Sequence, residues 1–199
     1  ARETGVPLVV TLHGGDAYQR LGRGAGAAWN ARNRRAVFEG ASRLLAVSSY
    51  LADVALGAGA DPERLSVHYQ GVDTHWWTPA PKAAESREEP VVLFVGSLSR
   101  LKGVDDLARA SAALAGHRPH RLVLVGDGPL ASDLRVRTPA HVTFAGPLDR
   151  EAVRDWMRRA HVIVLPTKPT QGRQEAAGLV LLEAQACGVP VIAYSTGGT

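Results

Sequence analysis

Apolar positions in this chain come in short unbroken runs rather than in alternation. Pro7–Leu12, Leu44–Val47, Leu65–Tyr69, Val91–Val95, Leu122–Val125, Val142–Phe144, Val162–Leu165 and Val189–Ala193 are rich in Val, Leu and Ile. Such runs mark strands buried on both faces, as in a parallel sheet. Between several of them, Ala27–Glu39, Ser49–Ala55, Val104–Leu114, Leu130–Val136, Arg150–Arg159 and Leu179–Cys187 have helical character. Strand and helix in alternation predict βαβ units and a doubly wound α/β fold. No apolar run approaches the ~18 residues of a membrane-spanning helix.

The rhythm breaks at Thr78–Pro90, TPAPKAAESREEP, where three prolines meet a charge cluster without apolar periodicity. That composition predicts a linker. We place it at residues 81–89, between a first lobe over 1–80 and a second over 90–199. Two Rossmann-like lobes with parallel sheets follow, with about three strands in the first and five in the second. The chain enters a strand almost at once and stops just after another. Both ends therefore read as cut, and the first lobe as incomplete.

Composition narrows the function classes. The chain has 199 residues, 45% hydrophobic and 21% charged, which is ordinary globular usage. Its formal charge is +4, with 20 Arg and only 3 Lys. Such a surface can bind anions, phosphates and acidic lipid among them. Aromatics are 6% and do not interleave with basic residues, so no nucleic-acid partner is expected. Arg20, Arg23, Arg32, Arg34 and Arg35 surround Trp29. They could touch a membrane surface peripherally, although a solvated basic face is the plainer reading. The single cysteine, Cys187, excludes an internal disulfide and fits a cytoplasmic protein.

The most informative stretch is Glu175–Pro190, EAAGLVLLEAQACGVP. It predicts a helix that is apolar nearly all round and so largely buried. Glu183 sits in its middle, where an unpartnered carboxylate would be costly. Two readings stand: a structural ion pair with an Arg, or a carboxylate accepting hydrogen bonds from ligand hydroxyls at the carboxyl edge of the sheet. The helix start at Gly178 and Leu179 offers backbone N–H groups suited to a phosphate.

Glu175 and Glu183 are seven residues apart, and this E-x7-E ahead of GLVLLEAQACGVPVIA resembles the donor-site signature of glycosyltransferase family 4. TLHGGD, VSSYLAD, YQGVDTHWWTP, VGSLSRLKGVDDL, VGDGPL and VTFAGPL resemble further stretches of that family, in family order. The resemblance implies a GT-B fold and a retaining, metal-independent transferase. Such an enzyme moves a sugar from a nucleotide-diphosphate-sugar donor to an acceptor that the sequence does not name. It assigns His13, Lys102 and Glu175 to the reacting centre. Glu175 would face the transferred sugar, Lys102 would neutralise the diphosphate, and His13 would lie near the donor sugar. Backbone around Ala177, Gly178 and Leu179 would meet the distal phosphate, Glu183 would hold the ribose hydroxyls, and Pro147 and Leu148 would line the base. The donor is a substrate, so no cofactor is expected.

Two positions depart from the family pattern. Ser97 stands where the family often has Arg, which removes a cation unless Arg100 swings in. Ala176 and Ala177 stand where Gly-Phe is frequent. Other classes fare worse on the residues. GRGAGA at 22–27 fits a dinucleotide fingerprint formally, but about nine residues separate it from the preceding strand. The chain has no Asp-x-Asp and its histidines are scattered, so no metal site is expected. A GT-B epimerase or hydrolase, and a non-catalytic nucleotide-sugar-binding fragment, stay open as alternatives.

Overall fold

The computed structural model describes residues 5–14, 17, 25–80 and 89–199. Within them the chain forms eight strands and six helices. These are β1 (Val9–Leu12), α1 (Ala25–Gly40), β2 (Arg43–Ala46), α2 (Ser49–Gly57), β3 (Leu65–Val67), β4 (Val91–Val95), α3 (Val104–Ala115), β5 (Arg121–Val125), α4 (Ala131–Arg137), β6 (Val142–Gly146), α5 (Arg150–Arg159), β7 (Val162–Leu165), α6 (Leu179–Ala186) and β8 (Val191–Ala193). Every expected strand and helix is present, with ends shifted by a few residues. The strands form two parallel sheets, so the architecture is that of two Rossmann-like α/β lobes.

The chain divides into two compact units. Unit 1 comprises residues 1–70, 169–178 and 196–199, and unit 2 comprises 71–168 and 179–195. Apart from Glu89, the expected linker at 81–89 lies outside the described residues, as do Asp16, Arg20, Arg23 and residues 22–24 of GRGAGA.

Unit 1 holds the three-stranded sheet, in the order β1-β2-β3. Its core packs Leu12, Phe38, Leu44 and Leu51 among alanines. Helix α2 starts where Ser48 caps it, the hydroxyl accepting from the Leu51 N–H at 3.2 Å. The same hydroxyl donates to the Ala176 carbonyl at 2.7 Å. Ala176 and Ala177 pack against the unit 1 core, and the Gly198 N–H donates to the Glu175 carbonyl at 2.9 Å. The segment just before α6 is thus fastened within unit 1 by hydrogen bonds to its backbone carbonyls and by small apolar side chains.

Unit 2 holds the five-stranded sheet, in the order β6-β5-β4-β7-β8. The chain begins at the centre, moves out through β5 and β6, then returns to the other side of β4 for β7 and β8. Strand order therefore reverses between β4 and β7. Crevices at such reversals, outside the carboxyl ends of the strands, are where open α/β sheets bind ligands. Backbone contacts between the loops there demand glycine. A Cβ on Gly103, which has φ 65, would fall on the Pro166 carbonyl after β7, and one on Gly126 would fall on the Gly96 carbonyl. Trp77 is fully buried in the unit 2 core, and Trp76 is half-buried against it. Arg150 and Arg154 of α5 stack over the Trp76 ring at 5.3 and 4.1 Å. Arg158, one turn on, donates to the Thr78 carbonyl at 2.9 Å and to its hydroxyl oxygen at 2.6 Å. Arginines four residues apart along α5 thus bind the 76–78 segment into unit 2. Among the described residues, no helix is long and apolar enough to cross a membrane.

Candidate active site

The expected site residues divide between the units. His13, Glu175, Ala177 and Gly178 belong to unit 1. Ser97, Arg100, Lys102, Pro147, Leu148, Leu179 and Glu183 belong to unit 2.

In unit 1, His13 follows the last residue of β1 and is exposed. Its Nδ1 lies 3.1 Å from the Gln70 amide nitrogen. That nitrogen can only donate, so Nδ1 accepts and a neutral ring carries its proton on Nε2. Glu175 is 8% exposed, and its Oε1 accepts from the Ala176 N–H at 3.2 Å. Gly178 has φ 58 and directly precedes the first residue of α6.

In unit 2, the loop after β4 carries Ser97, Arg100 and Lys102. The Leu98 N–H donates to the Asp127 carbonyl, and the Leu130 N–H to the Leu98 carbonyl, both at 2.9 Å. These bonds stack the loop on the one after β5. Ser97 and Arg100 are exposed and Lys102 is half-buried. Two bonds close the turn at Lys102: its own N–H donates to the Ser99 carbonyl at 3.1 Å, and the Gly103 N–H to Arg100 at 3.2 Å. Pro147 is exposed after β6. Leu148 packs on the core, and Asp149 then caps α5, its Oδ1 accepting from the Ala152 N–H at 2.8 Å.

Glu183 lies in the middle of α6, half-buried, and its carboxylate accepts no hydrogen bond from the described residues. Burial raises its carboxyl above the ordinary value, and the positive charge of Arg150 partly offsets this. The structural ion pair considered for this residue is therefore not formed among the described residues. A half-buried carboxylate with open acceptor positions suits the binding of hydroxyl groups. Cys187, on the following turn, is buried, and burial raises its thiol. Among the described residues, no group of three or more His, Cys, Asp or Glu is placed to hold a metal ion.

Lys168, in the loop after β7, was not among the expected site residues. Its ammonium lies 2.6 Å from Asp106 and 3.4 Å from Asp105, both in the first turn of α3. A sequence signal did exist. The chain has only three lysines against 20 arginines, and two of them, Lys102 and Lys168, follow β4 and β7.

Comparison with known proteins supplies the family. Residues 89–199 match the profile described as glycosyl transferases group 1, and residues 1–76 match that of glycosyltransferase family 4. The chain belongs to the group 1 glycosyltransferases. It is 34% identical over 215 residues to a D-inositol 3-phosphate glycosyltransferase of Pseudarthrobacter chlorophenolicus, covering 98% of this chain and 50% of that protein. A second protein of that name, from Catenulispora acidiphila, is 37% identical over 161 residues, covering 70% of this chain and 36% of the relative. The chain thus spans about half the length, or less, of these curated relatives. Among solved structures, sucrose-phosphate synthase from Thermosynechococcus elongatus is 26% identical with a TM-score of 0.73, covering 96% of this chain and 50% of that one. Anabaena HepE in complex with UDP-glucose is 24% identical with a TM-score of 0.74, covering 96% and 54%. These likenesses agree with the two parallel sheets on a GT-B fold.

Proposed function

We propose that the protein containing this chain transfers a sugar from a nucleoside-diphosphate-sugar to an acceptor with retention of anomeric configuration. The observation that carries the reading lies in unit 2. Lys102 and Glu183 follow β4 and β7 respectively, the adjacent strands between which strand order reverses.

Cleavage of the sugar–diphosphate bond leaves negative charge on the departing phosphate. In this reading Lys102 and the N–H groups at Ala177, Gly178 and Leu179 stabilise that charge as it develops. Glu183 accepts from the ribose hydroxyls, Glu175 faces the hydroxyls of the transferred sugar, and Pro147 and Leu148 line the base. His13 lies near the donor sugar. The departing phosphate takes the proton of the acceptor on the face it leaves, so no separate protein nucleophile is required. With Ser97 in place of an arginine, Lys102 carries more of the charge.

A thermal-shift screen with UDP-, GDP- and ADP-sugars tests the donor class. A ligand at 100 times its Kd adds ~2.7 kcal/mol of stability. Turnover is then assayed with D-inositol 3-phosphate as the first acceptor, because two relatives carry that acceptor in their names. In the complete protein, Lys102→Ala should cost ~2–4 kcal/mol of transition-state stabilisation, mostly in kcat. Turnover within about twofold of the parent would remove Lys102 from the diphosphate role.

A further inference from the structure

Lysine has four flexible side-chain bonds, so the place of its ammonium group depends on how firmly its backbone is held. Inside unit 2, two contacts tie the Lys102 turn to the loop after β7, and a pair of charge contacts ties the start of α3 to the same loop. The Lys168 N–H donates to the carbonyl of Leu101, the residue before Lys102, at 2.9 Å. Gly103, the residue after Lys102, abuts the Pro166 carbonyl so closely that no side chain fits. Beyond the turn, the Lys168 ammonium reaches Asp106 at 2.6 Å and Asp105 at 3.4 Å. One residue thus holds the turn from its backbone side and the first turn of α3 from its side-chain end.

We propose that Lys168 is a positioning residue for Lys102, fixing the turn from which Lys102 meets the diphosphate. The proposal rests on the reading of Lys102 given above. Lys168 itself is poorly placed to be the phosphate ligand, because it would have to leave two carboxylates to become one. Its pairing has a second effect. Asp105 and Asp106 lie three and four residues beyond Lys102, in the first turn of α3. Unneutralised, they would attract the Lys102 ammonium and repel a diphosphate. Lys168, with Arg109 on the other oxygen of Asp106, occupies them. Hydrogen bonding by Lys168 accordingly holds the Asp106 carboxyl below its ordinary value, and Asp106 raises the Lys168 ammonium in return.

The test is a double-mutant cycle in the complete protein, read by calorimetric titration with UDP, GDP and ADP. Lys168→Met keeps the backbone bond to Leu101 and removes only the ion pairs. It should weaken the preferred diphosphate by about five- to twentyfold. Lys168→Arg should restore affinity to within about threefold, because a guanidinium can still span both carboxylates. In a Lys102→Ala background, Lys168→Met should cost less than about twofold more, since Lys168 acts through Lys102. Should Lys168→Met fail to fold, Asp106→Asn reaches the same tie from the other side, with the same expected dependence on Lys102. Multiplicative losses for Lys102→Ala and Lys168→Met would overturn the proposal. An unchanged affinity in Lys168→Met, with a large loss in Lys102→Ala, would overturn it as well while leaving the Lys102 reading intact. If Lys102→Ala binds as the parent does, or if none of the three diphosphates binds, the underlying reading fails and the proposal with it.

Discussion

In unit 2 the central strand β4 is covered along both edges, and Leu93 and Phe94 are wholly buried. Unit 1 also has a central strand, β2, but its neighbours β1 and β3 carry Val9 at 55% exposure and Val67 at 40%, and Tyr69 beyond β3 is at 69%. Both sheets are parallel and both follow from the same kind of apolar run. They differ in the work each apolar residue does. Burial stabilises by about 25 cal/mol per Å², so a strand residue left half in water contributes a fraction of what Phe94 does. In unit 2, Leu93 and Phe94 of β4 and Ile163 and Leu165 of β7 are buried in one core, and these strands launch the loops that bear Lys102 and Lys168.

The largest effect that can break this contrast is a core deletion. Phe94→Ala in β4 should destabilise unit 2 by ~3–5 kcal/mol. Val67→Ala in β3 should cost well under ~1 kcal/mol, because little of its surface leaves water on folding. Urea titration followed by hydrogen exchange separates the two units. Equal costs at the two positions would show that the exposed face of the unit 1 sheet is covered in the working protein, and the contrast would fall.

Ion pairs sharpen the same comparison at a smaller scale. Arg35–Glu39 in unit 1 spans one helical turn with both side chains largely in solvent, so Glu39→Gln should leave stability unchanged. The Lys168 cluster in unit 2 is more enclosed, and Asp106→Asn should cost about 1 kcal/mol at neutral pH. The Asp106 carboxyl titrates below its ordinary value of 3.8 in the folded chain, with Lys168 and Arg109 as the cause. Its stabilisation is therefore complete above pH 3.8 and lost as pH falls through the depressed value. The gap between parent and Asp106→Asn should be constant from pH 5 to 8 and close in acid. A gap that persists unchanged below pH 3 would mean that the charge of Asp106 contributes nothing.

Local chemistry explains what could be read from the sequence. Most strands are short runs rich in Val, Ile and Leu, and the breaks between runs carry glycine, proline or capping groups. Eight strands, six helices and the division into two sheets were legible for that reason. The role of Ser48 was not. It holds the Ala176 carbonyl across 128 residues, and no periodicity encodes a bond of that span. Grouping of residues 169–178 with unit 1 depends on that bond and on the packing of two alanines, so the βαβ rhythm alone does not reveal it. The place of Glu183 in the middle of α6 was legible because a carboxylate interrupts a largely apolar helix. Lys168 stood out only as one of three lysines; its pairing was not legible, since its partners lie 62 and 63 residues earlier and meet it only once β4 and β7 are side by side.

The smallest effect concerns Glu183, where unit 2 buries a charge without a hydrogen-bond partner among the described residues. Burial raises its folded-state carboxyl above the ordinary value of 4.5, and Arg150 offsets only part of that. A carboxyl raised on folding works against stability once it ionises. The cost is absent below pH 4.5, grows as pH rises through the folded value and is complete above it. Glu183→Gln keeps the shape and removes the charge. Its melting temperature should therefore match the parent below pH 4.5 and exceed it by about 1–2 °C at pH 7 to 8. Nucleoside-diphosphate-sugar affinity should fall in the same variant, because an amide offers one acceptor oxygen where the carboxylate offered two. Gain in stability with loss of binding is the pattern of a residue kept for its ligand. A lower melting temperature at pH 7, with parity in acid, would show instead that attraction to Arg150 outweighs burial. Glu183 would then be an electrostatic fastening of α6 to α5, and its ribose role would have to be given up.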